Sequence, residues 1–190
     1  MDDFILEIPN NLSMELCEEM IKRYEEDDRK SEGITLGGKY LSHKISTDLH
    51  FSGLKEWKDV DNKVYEKLTE GLQIYRSHLT KHIGDQNSHF DNLNDSGYQI
   101  QKTSRGEYYS WHDDDDVKTG RVLTFLWYLN TLDIAADGGG TLFYGGKVIR
   151  PEQGKLIIFP ATWTYQHMGL PVTREKSKYI CTGWLHQKMT

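Results

Sequence analysis

The chain has 190 residues, of which 23 are Lys or Arg and 29 Asp or Glu, giving a net charge of −6, and 37 % of the residues are hydrophobic. This balance fits one globular domain with a full core. It argues against a nucleic-acid binder or a protein drawn to anionic lipid, both of which need a basic footprint. No apolar run approaches the ~18 residues of a membrane span. The N-terminal MDDFILEIPNN lacks the basic region and apolar run of a secretory leader, and Cys17 and Cys181 make no disulfide framework, so a cytoplasmic protein is expected.

Taken in chain order, residues 12–26 read as a helix with Ser13 as N-cap and Leu16, Met20, Ile21 and Tyr24 on one face. Residues 54–83 carry apolar positions from Trp57 to Ile83 in steps of three and four, a long amphipathic helix weakened by Gly71. The polar stretch 85–97 reads as a loop. From Tyr98 onward the signals are those of strands: 98–102, 107–112, 121–130, 140–144, 155–159, 164–168 and 177–186 are rich in β-branched and aromatic residues and separated by turn clusters. Short strands after supporting N-terminal helices predict a mainly β fold, a double-stranded β-helix (a jelly roll of cupin type), rather than a doubly wound α/β fold. Residues 1–97 form its mostly helical support and 98–190 its core, within a single domain of residues 1–190.

Of the eight histidines, His78 and His82 lie four apart on the long helix without a supporting carboxylate, and His43, His50, His89 and His186 stand alone. All six read as ordinary surface residues. His112 and Asp114 differ, because positions i and i+2 of a strand project to the same face. His112-x-Asp114 with one distant histidine makes the two-histidine, one-carboxylate facial triad of non-haem Fe(II) oxygenases, and His167 in the strand-like 164–168 is the candidate third ligand. Taken alone, HDDDD at 112–116 also reads as an acidic solvated turn, with Asp113, Asp115 and Asp116 as exposed carboxylates. Thr124 and Tyr128 share a face of the central strand, a pattern that two core residues also produce.

The order of the surrounding segments carries more weight. QIQK at 99–102, GEYYSWHDD at 106–114, RVLTFLWYLN at 121–130, GGGTLF at 138–143, LIIFPATWTYQH at 156–167 and KYICTGW at 178–184 together resemble the 2-oxoglutarate- and Fe(II)-dependent dioxygenases, specifically the prolyl 4-hydroxylase-like group in its short bacterial or phage form. The resemblance covers about half the chain closely, residues 98–184. It implies His112, Asp114 and His167 as Fe(II) ligands and as the catalytic centre. It also implies a basic residue nine or ten positions after the distal histidine to hold the far carboxylate of 2-oxoglutarate. Here +9 is Lys176 and +11 is Lys178; the spacing from Lys178 to Trp184 favours Lys178, with Lys176 the alternative. Lys in place of Arg resembles the collagen-type enzymes.

The same resemblance implies that Thr124, Tyr128, Thr182 and Trp184 line the cosubstrate pocket and that Arg121 stands near the substrate mouth. Thr103 departs from a common family tyrosine. Fe(II), 2-oxoglutarate and O2 are the implied cofactors, with ascorbate as a supporting reductant. The implied reaction is hydroxylation of a C–H bond with release of succinate and CO2. The implied partner is a prolyl residue in a peptide or protein, received by a groove from residues 30–52; nucleic acid, membrane and a defined oligomer are not implied. The alternatives are hydroxylation of a free amino acid or another small molecule, and a non-catalytic jelly-roll binding module.

Overall fold

The computed structural model describes residues 4–33, 43–84, 92–115 and 120–187. Helix α1 (Met14–Glu26) is capped by Ser13, whose Oγ accepts from the Leu16 N–H at 3.2 Å and satisfies one of the first-turn donors. It buries Leu16, Cys17, Met20 and Tyr24. A short 3-10 turn (Lys55–Trp57) precedes α2 (Lys58–Ile83), so the second helix starts four residues after position 54, where its amphipathic segment begins. Val60, Val64, Leu68, Tyr75 and Leu79 of α2 enter the core. Gly71 is required there: a Cβ at this position would collide with Leu156 Cδ2, so the glycine lets the helix approach the sheet closely. No helix among the described residues is long and apolar enough to cross a membrane.

Among the described residues the larger sheet has eight strands: β1 (Leu6–Ile8), β2 (Ser31–Glu32), β3 (Thr47–His50), β4 (Leu93–Asp95), β5 (Gln99–Thr103), β7 (Arg121–Tyr128), β10 (Leu156–Pro160) and β12 (Lys178–Gln187), in the order β1-β10-β7-β12-β5-β3-β2 with β4 beside β12. The smaller sheet is ordered β6 (Tyr109–His112), β11 (His167–Gly169), β8 (Thr141–Phe143), β9 (Val148–Ile149). All pairings between these strands are antiparallel. This is the expected mainly β architecture, a double-stranded β-helix. One core cluster joins Leu16, Met20 and Tyr24 of α1 and Val64 and Leu68 of α2 to Phe125, Trp127, Leu156 and Ile158 of the sheet. The helices thus back the larger sheet and leave its other face free to meet the smaller one.

Four local expectations are corrected. Residues 93–95 of the expected loop pair with the end of β12. β1 and β3 were not expected at all, because three or four residues beside turn signals carry too little periodicity to register. The segment 164–168 is not one strand: Trp163–Tyr165 is a 3-10 turn and β11 begins only at His167. Asp114 lies beyond the end of β6, so strand alternation is not what aims its carboxylate. Residues 34–42 of the expected substrate groove, and His89 and Asp116, lie outside the described residues, as does the side chain of His82.

Candidate metal centre

His112 and His167 are direct partners in the β6–β11 ladder, and their rings lie 4.2 Å apart between centroids. Asp114 reaches the same point from the chain leaving β6, with its Oδ2 3.6 Å from His167 Nε2. One donor atom from each of the three residues falls within 4.8 Å of the other two. Asp114 is 7 % exposed and His167 5 %. The tautomers suit metal binding. His112 Nδ1 lies 2.7 Å from the Ser110 carbonyl and His167 Nδ1 3.1 Å from the Tyr165 carbonyl. A carbonyl oxygen only accepts, so each Nδ1 carries the proton and each Nε2 presents its lone pair to the shared centre.

Electrostatics act in the same direction. Burial, reinforced by the neighbouring His167, holds His112 well below the usual imidazole range and keeps it neutral. Burial alone would raise the Asp114 carboxyl; the facing His167 and His112 rings and the Thr124 hydroxyl, which donates to Oδ2 at 2.8 Å, outweigh it and favour the carboxylate. Tyr109 stacks on His112 at 3.5 Å, while Phe143 and Phe159 pack on His167. These contacts lock both rings. Two imidazoles and one carboxylate, converging at a largely buried point, fit a divalent iron with open positions.

Behind the triad, between the two sheets, lies a cavity of about 60 Å³ lined by Lys178, Thr103, Thr124, Thr141, Thr182 and Trp184 among others. Lys178 is 5 % exposed, and burial brings its ammonium down to about 8. No carboxylate among the described residues pairs with it. Gly169 leaves the space beside it open, since a Cβ there would sit 3.4 Å from Nζ. A buried cation without a counter-ion at the bottom of a cavity is the feature expected of an anion site. Lys176 is exposed in the turn before β12 and is absent from this cavity.

The other expected residues divide. Thr182 lines the cavity and donates to the Phe125 carbonyl at 2.8 Å. Thr124 lines it too, but its hydroxyl is committed to Asp114. Tyr128 is corrected: it does not line the cavity. It shares the inward parity of Thr124 but sits a further step down the strand, buried among Ile5, Leu126, Phe143 and Ile157, with its hydroxyl 2.6 Å from Thr141 Oγ1. Tyr128 therefore meets the cavity only through Thr141. That residue has no distinguishing sequence signal beyond its place in GGGTLF.

On the other side of the triad a wider cleft of about 390 Å³ opens. Arg121 and Trp184 share its wall, the guanidinium 3.7 Å above the indole centroid, and Arg121 Nη1 donates to the Asp114 carbonyl at 3.4 Å. Sequence reasoning missed the ion pair opposite. Lys44 Nζ lies 2.7 Å from Asp48 Oδ2 and Ser46 Oγ donates to Oδ1 at 2.8 Å, all buried at the boundary of cavity and cleft. His43 and His50, read as plain surface residues, line the cleft, and so does Asp113, which is half-buried rather than exposed.

Residues 98–186 match the model of the 2OG-Fe(II) oxygenase superfamily. Among solved structures, the chain is similar to a viral collagen prolyl hydroxylase of Paramecium bursaria Chlorella virus 1 in its 2OG complex. The identity is 23 % and the TM-score 0.70, over 98 % of this chain and 97 % of that one. It is similar to a Trichoplax adhaerens prolyl hydroxylase bound to a peptide fragment of the hypoxia inducible factor oxygen degradation domain (17 %, 0.77, 98 % and 84 %). A Pseudomonas putida prolyl-4-hydroxylase gives 16 %, 0.72, 97 % and 93 %. At these identities the likeness is one of fold. No curated protein matches the chain.

Proposed function

We propose, from the match of residues 98–186 to the 2OG-Fe(II) oxygenase superfamily, that the chain is a member of it and hydroxylates a prolyl residue within a peptide or protein. As a member it is a 2-oxoglutarate-dependent dioxygenase that uses Fe(II) and O2. His112 Nε2, a carboxylate oxygen of Asp114 and His167 Nε2 hold the iron. When bound, the iron couples oxidative decarboxylation of 2-oxoglutarate, to succinate and CO2, to insertion of one oxygen atom into a substrate C–H bond.

The protein supplies the remainder. Lys178 pairs with the far carboxylate of 2-oxoglutarate by charge-assisted hydrogen bonds, an interaction made strong by the low dielectric around it. Thr141 and Thr182 border that carboxylate, with Tyr128 orienting Thr141. Thr124 holds Asp114 in a single orientation. Trp184 divides the cosubstrate cavity from the cleft, and Arg121, stacked upon it, stands at the substrate mouth. The helices and the β-helix core act as one domain, a reading supported by the core cluster that joins them.

The observation that carries a polymeric substrate is the shape of the outer cleft. At about 390 Å³ it is several times the volume of the inner cavity, and it is bounded by Trp111, Arg121 and Trp184 and by the segment 43–50. A cleft of this size leaves room for residues that flank the target in a polypeptide. The fold shared with prolyl hydroxylases, one of them bound to a peptide, supports the same reading.

The test is incubation with Fe(II), 2-oxoglutarate and ascorbate, with succinate measured by chromatography and the peptide by mass spectrometry. Proline-containing peptides are expected to gain one oxygen at proline in step with succinate. Faster hydroxylation of free proline than of any peptide would shift the assignment to a small-molecule hydroxylase. Absence of succinate under every condition would make the chain a binding module.

A further inference from the structure

Resting on the hydroxylase reading above, we propose that Trp111 and Tyr144 form a docking ledge beside the metal centre for a cationic segment of the substrate polypeptide. Trp111 is 46 % exposed and Tyr144 80 %. Their rings meet edge to face, 6.4 Å apart at 76°. The smaller sheet places them. His112 turns inward to the triad, so Trp111, its neighbour on β6, projects to the other face of that strand, while Tyr144 leaves the end of β8 just after Phe143, whose ring packs against His167. β6 and β8 flank β11, which brings the two aromatics together across it. A backbone bond from Tyr144 N–H to the Gln166 carbonyl, 2.8 Å, fixes the Tyr144 main chain.

Neither ring belongs to a core cluster, and the ledge is continuous with the cleft, since Trp111 is also part of the cleft wall beside His112 and Asp114. A polypeptide whose target residue sits over the triad therefore passes Trp111 as it leaves. Charge selects its chemistry. Aromatic faces are the negative side of the ring quadrupole and attract ammonium and guanidinium groups. Asp113 lines the same cleft, Asp115 follows it, and neither pairs with a cation among the described residues. The cleft's own cations are engaged elsewhere, Lys44 with Asp48 and Arg121 with the Trp184 ring and the Asp114 carbonyl. With the whole chain at −6, the fitting occupant is a segment carrying Lys or Arg beside the target residue.

The experiment measures binding apart from turnover. Dye-labelled Lys-Pro, Ser-Pro and Glu-Pro repeat peptides of equal length are titrated by anisotropy with the full chain, anaerobically, with Fe(II) and 2-oxoglutarate. The Lys-Pro peptide should bind about tenfold tighter than Glu-Pro, with the difference shrinking at high salt. Tyr144→Ala, at a site too exposed to disturb the fold, and Trp111→Ala should each weaken Lys-Pro binding several-fold. Tyr144→Ala should leave succinate release with a short, uncharged proline peptide unchanged. Equal affinity for Lys-Pro and Glu-Pro, or wild-type binding by Tyr144→Ala, overturns the ledge. Tight Lys-Pro binding with no succinate released once O2 is admitted would instead overturn the hydroxylase reading and leave the ledge standing.

Discussion

His112 and His167 face each other as direct partners in the β6–β11 ladder, and each gives its Nδ1 proton to the carbonyl of the residue two positions before it, Ser110 or Tyr165. The same local device, used on both strands, fixes both tautomers. Asp114 is held instead from across the interior, by the Thr124 hydroxyl.

Two substitutions test that division of labour. Asp114→Ala should abolish metal binding and succinate production together, because it removes the anionic ligand. Thr124→Val keeps the carboxylate and its volume but removes the donor, and iron affinity should fall by roughly tenfold. Co(II) substitution followed by its visible absorption reads both. Robust hydroxylation by Asp114→Ala would refute the triad, and unchanged affinity in Thr124→Val would refute the role given to Thr124.

Lys178→Met should separate stability from function. The ammonium is buried without a partner and its pKa falls from 10.5 to about 8, which corresponds to a cost on the order of 3 kcal/mol below that range. Because the folded pKa lies below the unfolded one, the native state holds fewer protons between the two values, and stability rises with pH across that window. Methionine removes the cost, so the variant should melt several degrees above the wild type when 2-oxoglutarate is absent. It should also lose the stabilisation that 2-oxoglutarate confers on the wild type. A variant that still binds 2-oxoglutarate at wild-type affinity would exclude Lys178 as its anchor.

The affinity for 2-oxoglutarate should depend on pH in a defined direction. Below about 8 Lys178 is already charged; above it, binding the far carboxylate requires uptake of a proton. The dissociation constant should rise by up to tenfold per pH unit above that point. Calorimetry in buffers of different ionisation enthalpy should register the proton taken up. A flat affinity across this range would contradict the pairing.

Gly71→Ala tests how the helical layer meets the sheet. Alanine favours the helix by about 1 kcal/mol, but its Cβ would collide with the buried Leu156 Cδ2. Overpacking should dominate and lower stability by about 1–2 kcal/mol net, measured by urea denaturation. A stabilised variant would show that Leu156 has room to move.

Much of the centre is legible along the chain because its determinants are local. His112-x-Asp114 is a contiguous motif, and the helices announce themselves through their apolar period. Lys178 can be preferred over Lys176 from its distance to Trp184. Tyr128 shows where that kind of reading stops: parity names the face of a strand but not the depth, and the ring ends beneath Thr141 rather than in the cavity. Asp114 shows it too, since its side chain is aimed by Thr124 after the strand has ended.

What the sequence by itself determined about this chain is therefore the chemistry: two imidazoles, a carboxylate and a lysine on a mainly β scaffold. Only the tertiary structure decided how those groups are supplied and approached. The Lys44–Asp48 pair, Thr141 in the cavity lining it shares with Lys178, and the Trp111–Tyr144 contact each depend on which strands lie side by side. Strand neighbours are set by the summed packing of the whole core. Covalent spacing encodes which way a residue faces, and carries no record of what stands opposite.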